Sequence, residues 1–381
     1  MTGTADIAVV DLALVDHHVH GILTGELDVA AIESGLMEST APPPPGTSVF
    51  DTQLGFAVRR WCAPVLDLEA HAPPEDYVRR RLELGSAEVA RRLLTASAVN
   101  TWLVDTGYQS AAVTTPDQLV ALSGTSAREI VRLESLAERV IRSGVPAEGY
   151  ADAVTSSVHG AGTAGAVGFK TVAAYRGGLA LEPGRPASAE VANAAGRWLR
   201  EIDGGAPVRL EDRVLIRHGI WAAIGTGLPV QFHTGFGDTD SRLGRSDPAL
   251  LHDFLLASQP TETPVMLLHC YPYHRQAAAL ANLFPHVYID VGEALNHVGA
   301  RSAAVLAEAL ELTPFHKMLY SSDAFGLPEL HYLGAIGFRR DIAAVTGAFV
   351  AERLWSAADA SRVADMIGSV NARRVYKLGA S

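Results

Sequence analysis

Short apolar runs recur along the chain, spaced so that a helix fits between most of them. Eight stand out: Leu12 to Val15, Val99 to Val104, Ile130 to Leu133, Ala166 to Val172, Pro229 to Phe232, Val265 to Leu268, Val287 to Val291 and Met318 to Tyr320. Runs of this length, rich in β-preferring residues and bounded by polar ones, predict strands. Helical periodicity lies between several of them, as in Arg209 to Ile224 and Ala300 to Leu312. Strand and helix alternating in this way predict a parallel α/β fold. Eight units favour a closed (β/α)8 barrel, the TIM barrel, over an open sheet.

Two connections are too long for plain barrel loops. Gly21 to Ser97 separates the first two strands and contains a proline loop, Ala41-Pro42-Pro43-Pro44-Pro45-Gly46, followed by a helical pattern from Glu75 to Leu94. The prolines should be stiff and extended. Long insertions at the C-terminal ends of barrel strands usually cover the site, so residues 21–97 read as an inserted helical lid. The second connection, Gly177 to Gly227, is a further candidate to overhang the site. Neither repeats nor linkers interrupt the pattern, so residues 1–381 read as a single barrel carrying that lid.

Composition narrows the class. Hydrophobic residues make up 48% and charged residues 19%, which describes a globular chain with a large core. The formal net charge of -11 argues against a nucleic-acid binder. No apolar run reaches the length of a membrane helix. Met1 to Val10 lacks the basic and apolar regions of a leader. Cys62 and Cys270, far apart, fit a reducing compartment. The expectation is a cytoplasmic protein with a small-molecule substrate, neither nucleic acid nor membrane as partner, and a homodimer as the commonest form of assembly.

The candidate chemistry sits at the ends of the apolar runs. The first run leads into Asp16-His17-His18-Val19-His20. Histidines at i and i+2 on a strand share a side, so His18 and His20 can reach one metal ion, while His17 should point away. Later runs end at Lys170, His233, His269 and Asp323. On a barrel, residues at the C-terminal ends of different strands converge on one pocket. Neutral imidazoles and a carboxylate suit zinc or a similar ion. This set exceeds what one hydrolytic metal needs and suits two held together. Blander readings exist: His233 and His269 as buried core histidines, Asp323 as a helix cap, and Lys170 in an ordinary ion pair. Tyr175 and Arg176 follow the fourth run, and an arginine there could hold a substrate carboxylate. Gln231, Tyr271, Glu293 and Glu329 are further candidates near strand ends, with Glu293 a possible holder of a substrate amine. His274, His297 and His331 follow the sixth to eighth runs closely enough to face the pocket.

This order of residues resembles the amidohydrolase superfamily: HxH on strand one, lysine on strand four, single histidines on strands five and six, aspartate on strand eight. Gly168-Phe169-Lys170-Thr171, Gln231-Phe232-His233, Leu268-His269 and Ser321-Ser322-Asp323 look most similar to its amidohydrolase 2 group. Within that group the chain resembles the amidohydrolase-type domain attached to glutamine-synthetase-like proteins of some fungi and plants. The resemblance implies two divalent metals, zinc by default. His18, His20 and Asp323 would hold the first, and His233 and His269 the second. Lys170, carboxylated by CO2, would bridge them with its carbamate. Asp323 would be the catalytic proton carrier. The implied reaction is hydrolysis of a C–N (amide) bond by a metal-bridging hydroxide. The substrate would be a small carboxylate-bearing molecule, such as a γ-glutamyl or N-acyl compound. The same group also contains one-metal lyases, so a decarboxylase is the alternative.

Overall fold

Seven parallel strands form one sheet whose spatial order follows the chain: β1 (Leu14–Val19), β2 (Val99–Asp105), β3 (Ser126–Arg132), β4 (Gly168–Thr171), β5 (Val230–Thr234), β6 (Val265–His269) and β7 (Val287–Ile289). The computed structural model describes residues 12–108 and 111–379. The segment Met1 to Val10, read above as lacking a leader, lies outside the described residues. Each strand takes a helical crossover to the next, which parallel pairing requires.

Both faces of the sheet are buried, which is why its strands read as apolar runs. Val265 and Leu267 of β6 join a large cluster shared with the helices. Met266 and Leu268, one position along, join a smaller cluster with Val15, Leu103, Ile130, Tyr288 and Leu319 on the inner face. Ala372, Val375 and Tyr376, from the C-terminal helix Asn371–Val375 and the residue after it, close that inner cluster.

The eighth run differs from expectation. Met318 to Tyr320 forms no regular strand but makes an isolated parallel bridge, Met318 to Ile289. The segment 318–324 still reaches both edges of the sheet. Leu319 N donates to Ile289 O of β7 at 3.0 Å. On the other side His17 N donates to Tyr320 O at 3.2 Å, Asp323 N to His18 O at 3.1 Å, and His20 N to Ala324 O at 2.9 Å. Asp323 has φ 50°, a left-handed conformation that no strand can continue through.

The helical patterns are also trimmed. Glu75 to Leu94 divides at Gly85 (φ 77°) into the helices Pro74–Leu84 and Ser86–Ser97. The pattern from Arg209 begins as a helix only at Arg213–Ile224, where Asp212 caps the first turn. Ala300 to Leu312 contracts to the helix Ser302–Ala309. β3 starts at Ser126, ahead of its apolar half, because the mostly polar segment Ser126 to Glu129 pairs with β2.

The insertion 21–97 divides into two parts. Its early part, the helix Val29–Ser34 and the residues up to Thr40, lines the cavity described below. The helices Pro74–Leu84 and Ser86–Ser97 instead lie beside the helix Pro328–Ala351. A buried ion pair fixes them there. Arg81 Nε donates to Glu329 Oε1 at 2.6 Å, and Tyr77 OH donates to the same oxygen at 3.0 Å. Glu329 is thereby occupied in packing. Among the described residues no helix is long and apolar enough to cross a membrane.

Candidate metal centre

The pairing of β1 with β2 shifts register between Asp16 and Val19. This irregularity breaks the strand alternation and turns both His17 and His18 to the inner face, contrary to the expectation that His17 points away. His18 Nδ1 meets Gln231 Oε1 at 2.8 Å, which leaves Nε2 for Asp323 and Lys170. That Nε2 lies 2.9 Å from Asp323 Oδ1 and 3.0 Å from Lys170 Nζ. His20 Nε2 stands 3.5 Å from the same Asp323 oxygen, and His269 Nε2 is 3.3 Å from Asp323 Oδ2. The His233 ring centroid is 4.7 Å from that of His269. His18, His20 and His269 therefore meet around one carboxylate, with Lys170 beside His18 and His233 beside His269.

Buried groups behind them set this geometry. His269, Cys270 and Asp323 adopt φ of 67°, 60° and 50°. Non-glycine residues hold such conformations only when their surroundings enforce them, and they gather at functional sites. Asp290 supplies part of that enforcement: its Oδ1 accepts from His269 N at 2.9 Å and Gly292 N at 2.8 Å. Its Oδ2 meets His17 Nε2 at 2.9 Å. Asp16 Oδ1 accepts from Ser322 N at 3.1 Å, beside Asp323. At the end of β4, Glu134 Oε1 accepts from Thr171 Oγ1 at 2.6 Å and Val172 N at 3.0 Å, next to Lys170.

The donor set fits divalent cations. Nε2 of His233, Nε2 of His269 and Oδ1 of Asp323 are buried and make no hydrogen bond outside this cluster among the described residues. Metal binding needs neutral imidazoles. Burial first, then the charge on Lys170, pulls His18 down to about 3. Burial likewise takes His269 down to about 4 and His233 well below its ordinary value. Burial works to raise the Asp323 pKa, but His269 and His18 outweigh it and keep the carboxyl ionised. Lys170, 2% exposed, has its pKa lowered by burial, which favours the neutral amine.

A cavity of about 460 Å³ opens over this cluster. Lys170, His20, His233 and Asp323 form part of its wall, as do Tyr175, Arg176, Glu293, His297, and Glu38 from the early insertion. The Tyr175 ring packs 4.3 Å from His233, and burial raises its hydroxyl pKa well above the usual value. Arg176 comes within 3.9 Å of Glu138, while its Nε and Nη1 are buried without hydrogen-bond partners among the described residues. Two predicted contacts fall elsewhere. Gln231 is fully buried behind His18, with Nε2 donating to His17 O and Tyr376 OH at 2.8 Å each. Tyr271 stacks on His274 at 5.8 Å and is not part of the cavity wall. His331 is occupied with the His20 and Leu327 carbonyls.

The model of the family described as amidohydrolase matches residues 133–378, well over half the chain. The chain belongs to the amidohydrolase family. This amidohydrolase is 34% identical to protein fluG of Emericella nidulans over 223 residues, 56% of this chain but only 26% of fluG. It thus spans about a quarter of that curated relative. A solved structure of a proposed metal-dependent hydrolase from Lactobacillus casei superposes with a TM-score of 0.87 at 27% identity, covering 99% of this chain and 98% of that one. The uronate isomerase of Thermotoga maritima shares the fold at a TM-score of 0.63 and 13% identity, over 99% of this chain and 98% of its own.

Sequence reasoning about this amidohydrolase missed the supporting groups: His17, Asp105, Glu134, Asp290 and Tyr376. Asp105 pairs with Arg132 at 2.6 Å, and its carbonyl lies 3.3 Å from His20 Nδ1. Asp105 and Asp290 carried a usable signal, since each is a carboxylate placed where an apolar run ends.

Proposed function

We propose that this amidohydrolase is a metal-dependent hydrolase that cleaves the C–N bond of a small, carboxylate-bearing amide. The observation that carries this reading is the convergence of His18, His20 and His269 on the two oxygens of Asp323, with Lys170 3.0 Å from His18. In this reading the sheet closes as an eight-position barrel, with segment 318–324 in the eighth place and residues 31–40 as its cover.

His18, His20 and Asp323 would hold one divalent metal and His233 and His269 a second, with zinc the default and Lys170, carboxylated by CO2, between them. Such metals acidify a water molecule and polarise a carbonyl. Asp323 would take a proton from the attacking water and return it to the leaving nitrogen. Tyr175, kept protonated by burial, offers a donor to the oxygen that gains charge. Arg176, with two buried and unpartnered nitrogens, clamps the substrate carboxylate.

The test is metal analysis combined with Lys170→Ala. The purified chain should carry two divalent ions. K170A should retain one or fewer and regain part of its amide hydrolysis when short carboxylic acids are added. Metal content below one per chain, or a K170A variant unchanged in both metal and turnover, would overturn the reading. The second outcome would move the protein to one-metal lyase chemistry.

A further inference from the structure

We propose that Glu38, Glu293, Asn296 and His297 form an ammonium subsite, so that the substrate is a zwitterion whose scissile amide lies between its ammonium and a carboxylate held by Arg176. The inference rests on the hydrolase reading above and adds the substrate class.

Ligating atoms of Glu38, Glu293 and His297 all lie within 4.8 Å of one another. Glu38 comes from the early insertion. The other three come from the helix Gly292–Val298, at spacings that share one face. Glu293 is 6% exposed, and its Oε2 has no hydrogen-bond partner among the described residues. Asn296 gives an independent observation. Its Nδ2 is occupied by Ser322 O at 3.4 Å and Leu330 O at 3.3 Å, which leaves Oδ1 buried at the cavity wall with no partner among the described residues. His297 Nε2 stands 3.4 Å from Glu38 Oε1.

This wall therefore offers acceptor oxygens that lack donors. Leaving such groups buried and unmatched is costly, and the cost falls when a ligand supplies what is missing. An alkylammonium supplies three N–H donors and one positive charge. A carboxylate or a neutral amide supplies neither in full.

The opposite pole is Arg176, whose Nε and Nη1 lack acceptors among the described residues. Arg176 follows β4, and Gly292–Val298 follows β7. The strands between them in the sheet, β5 and β6, carry His233 and His269. A molecule spanning the two poles would lay its middle across those histidines. An amide with an ammonium on its acyl side and a carboxylate on its amine side has this pattern, as in a short peptide with free ends.

The experiment uses the metal-loaded enzyme and matched pairs that differ only in the ammonium: alanyl-alanine with propionyl-alanine, and γ-glutamyl-alanine with glutaryl-alanine. The ammonium member should be favoured at least about tenfold in kcat/KM, mostly through KM, because a site with buried acceptors discriminates strongly against a ligand lacking the donor. Glu293→Gln and Glu38→Gln should each collapse that preference. Calorimetric binding of the same pairs, at the same metal content, gives a second readout. Hydrolysis that ignores the ammonium would overturn the subsite and leave the hydrolase reading intact. Absence of all hydrolysis, with the ammonium members still binding more tightly, would overturn the hydrolase reading and keep the subsite. Equal binding within both pairs overturns the subsite. So does a third divalent ion per chain that disappears in E293Q, which would assign the cluster to metal.

Discussion

At the scale of the residue, burial decides what each side chain can do. His286 shows this away from the metal centre. It is 5% exposed, its Nε2 lies 3.2 Å from Ser258 Oγ, and burial followed by the charge of Lys317 takes it down to about 4. An unfolded histidine titrates near 6.5. Below that value the unfolded chain takes up a proton that the folded chain refuses. The contribution is therefore present above pH 6.5 and is lost as pH falls toward 4. We expect on the order of 2 kcal/mol from this group across that window. Urea unfolding of the wild type and of His286→Gln between pH 7 and 4 checks it. The wild type should lose stability more steeply, and parallel curves would refute the assignment. The same physics keeps His18 and His269 neutral. The difference is that their Nε2 atoms face the Asp323 carboxylate, whereas His286 faces a hydroxyl.

At the scale of the element, the connections divide the work between wall and cover. The helix Pro74–Leu84 is tied to the helix Pro328–Ala351 by Arg81 and Glu329, which are 2% and 1% exposed. Removing one partner of such a pair leaves a buried charge uncompensated, at a cost of about 3–5 kcal/mol. Arg81→Ala should therefore lower the unfolding midpoint markedly, while Arg81→Met with Glu329→Gln should recover much of the loss. Turnover per folded molecule should hardly change in either. A large fall in kcat at full stability would mean that these helices do cover the site. Nothing in the local pattern separates the two halves of residues 21–97. Both read as helical pattern and proline loop, and Glu329 read as a candidate for the pocket. Only the contact across 248 positions between Arg81 and Glu329 distinguishes wall from cover.

At the scale of the whole molecule, the C-terminus supports the centre from beneath. Tyr376 OH receives Gln231 Nε2 at 2.8 Å and meets His17 Nδ1 at 3.0 Å, and Gln231 in turn orients His18. A group that orients a metal ligand is commonly worth about 10–100-fold in affinity. Tyr376→Phe should weaken metal binding by roughly tenfold, read by competition with a chelator. Unchanged affinity would reduce Tyr376 to packing.

The chain order alone was enough to determine the strand-helix alternation, the apolar runs and the residues that end them. All three follow from local rules: a strand buried on two faces must be apolar, and its last residue must meet the rim. What needed the tertiary structure was everything set by distant pairing. The shift in β1 brings His17 inward, Gln231 withdraws behind His18, and Tyr376 reaches across the inner face. Asn296 keeps one oxygen free because two remote carbonyls hold its nitrogen. Local periodicity fixes which way a regular strand turns its side chains. It carries no information about a partner hundreds of residues away, and such partners decide which polar groups remain free for a ligand.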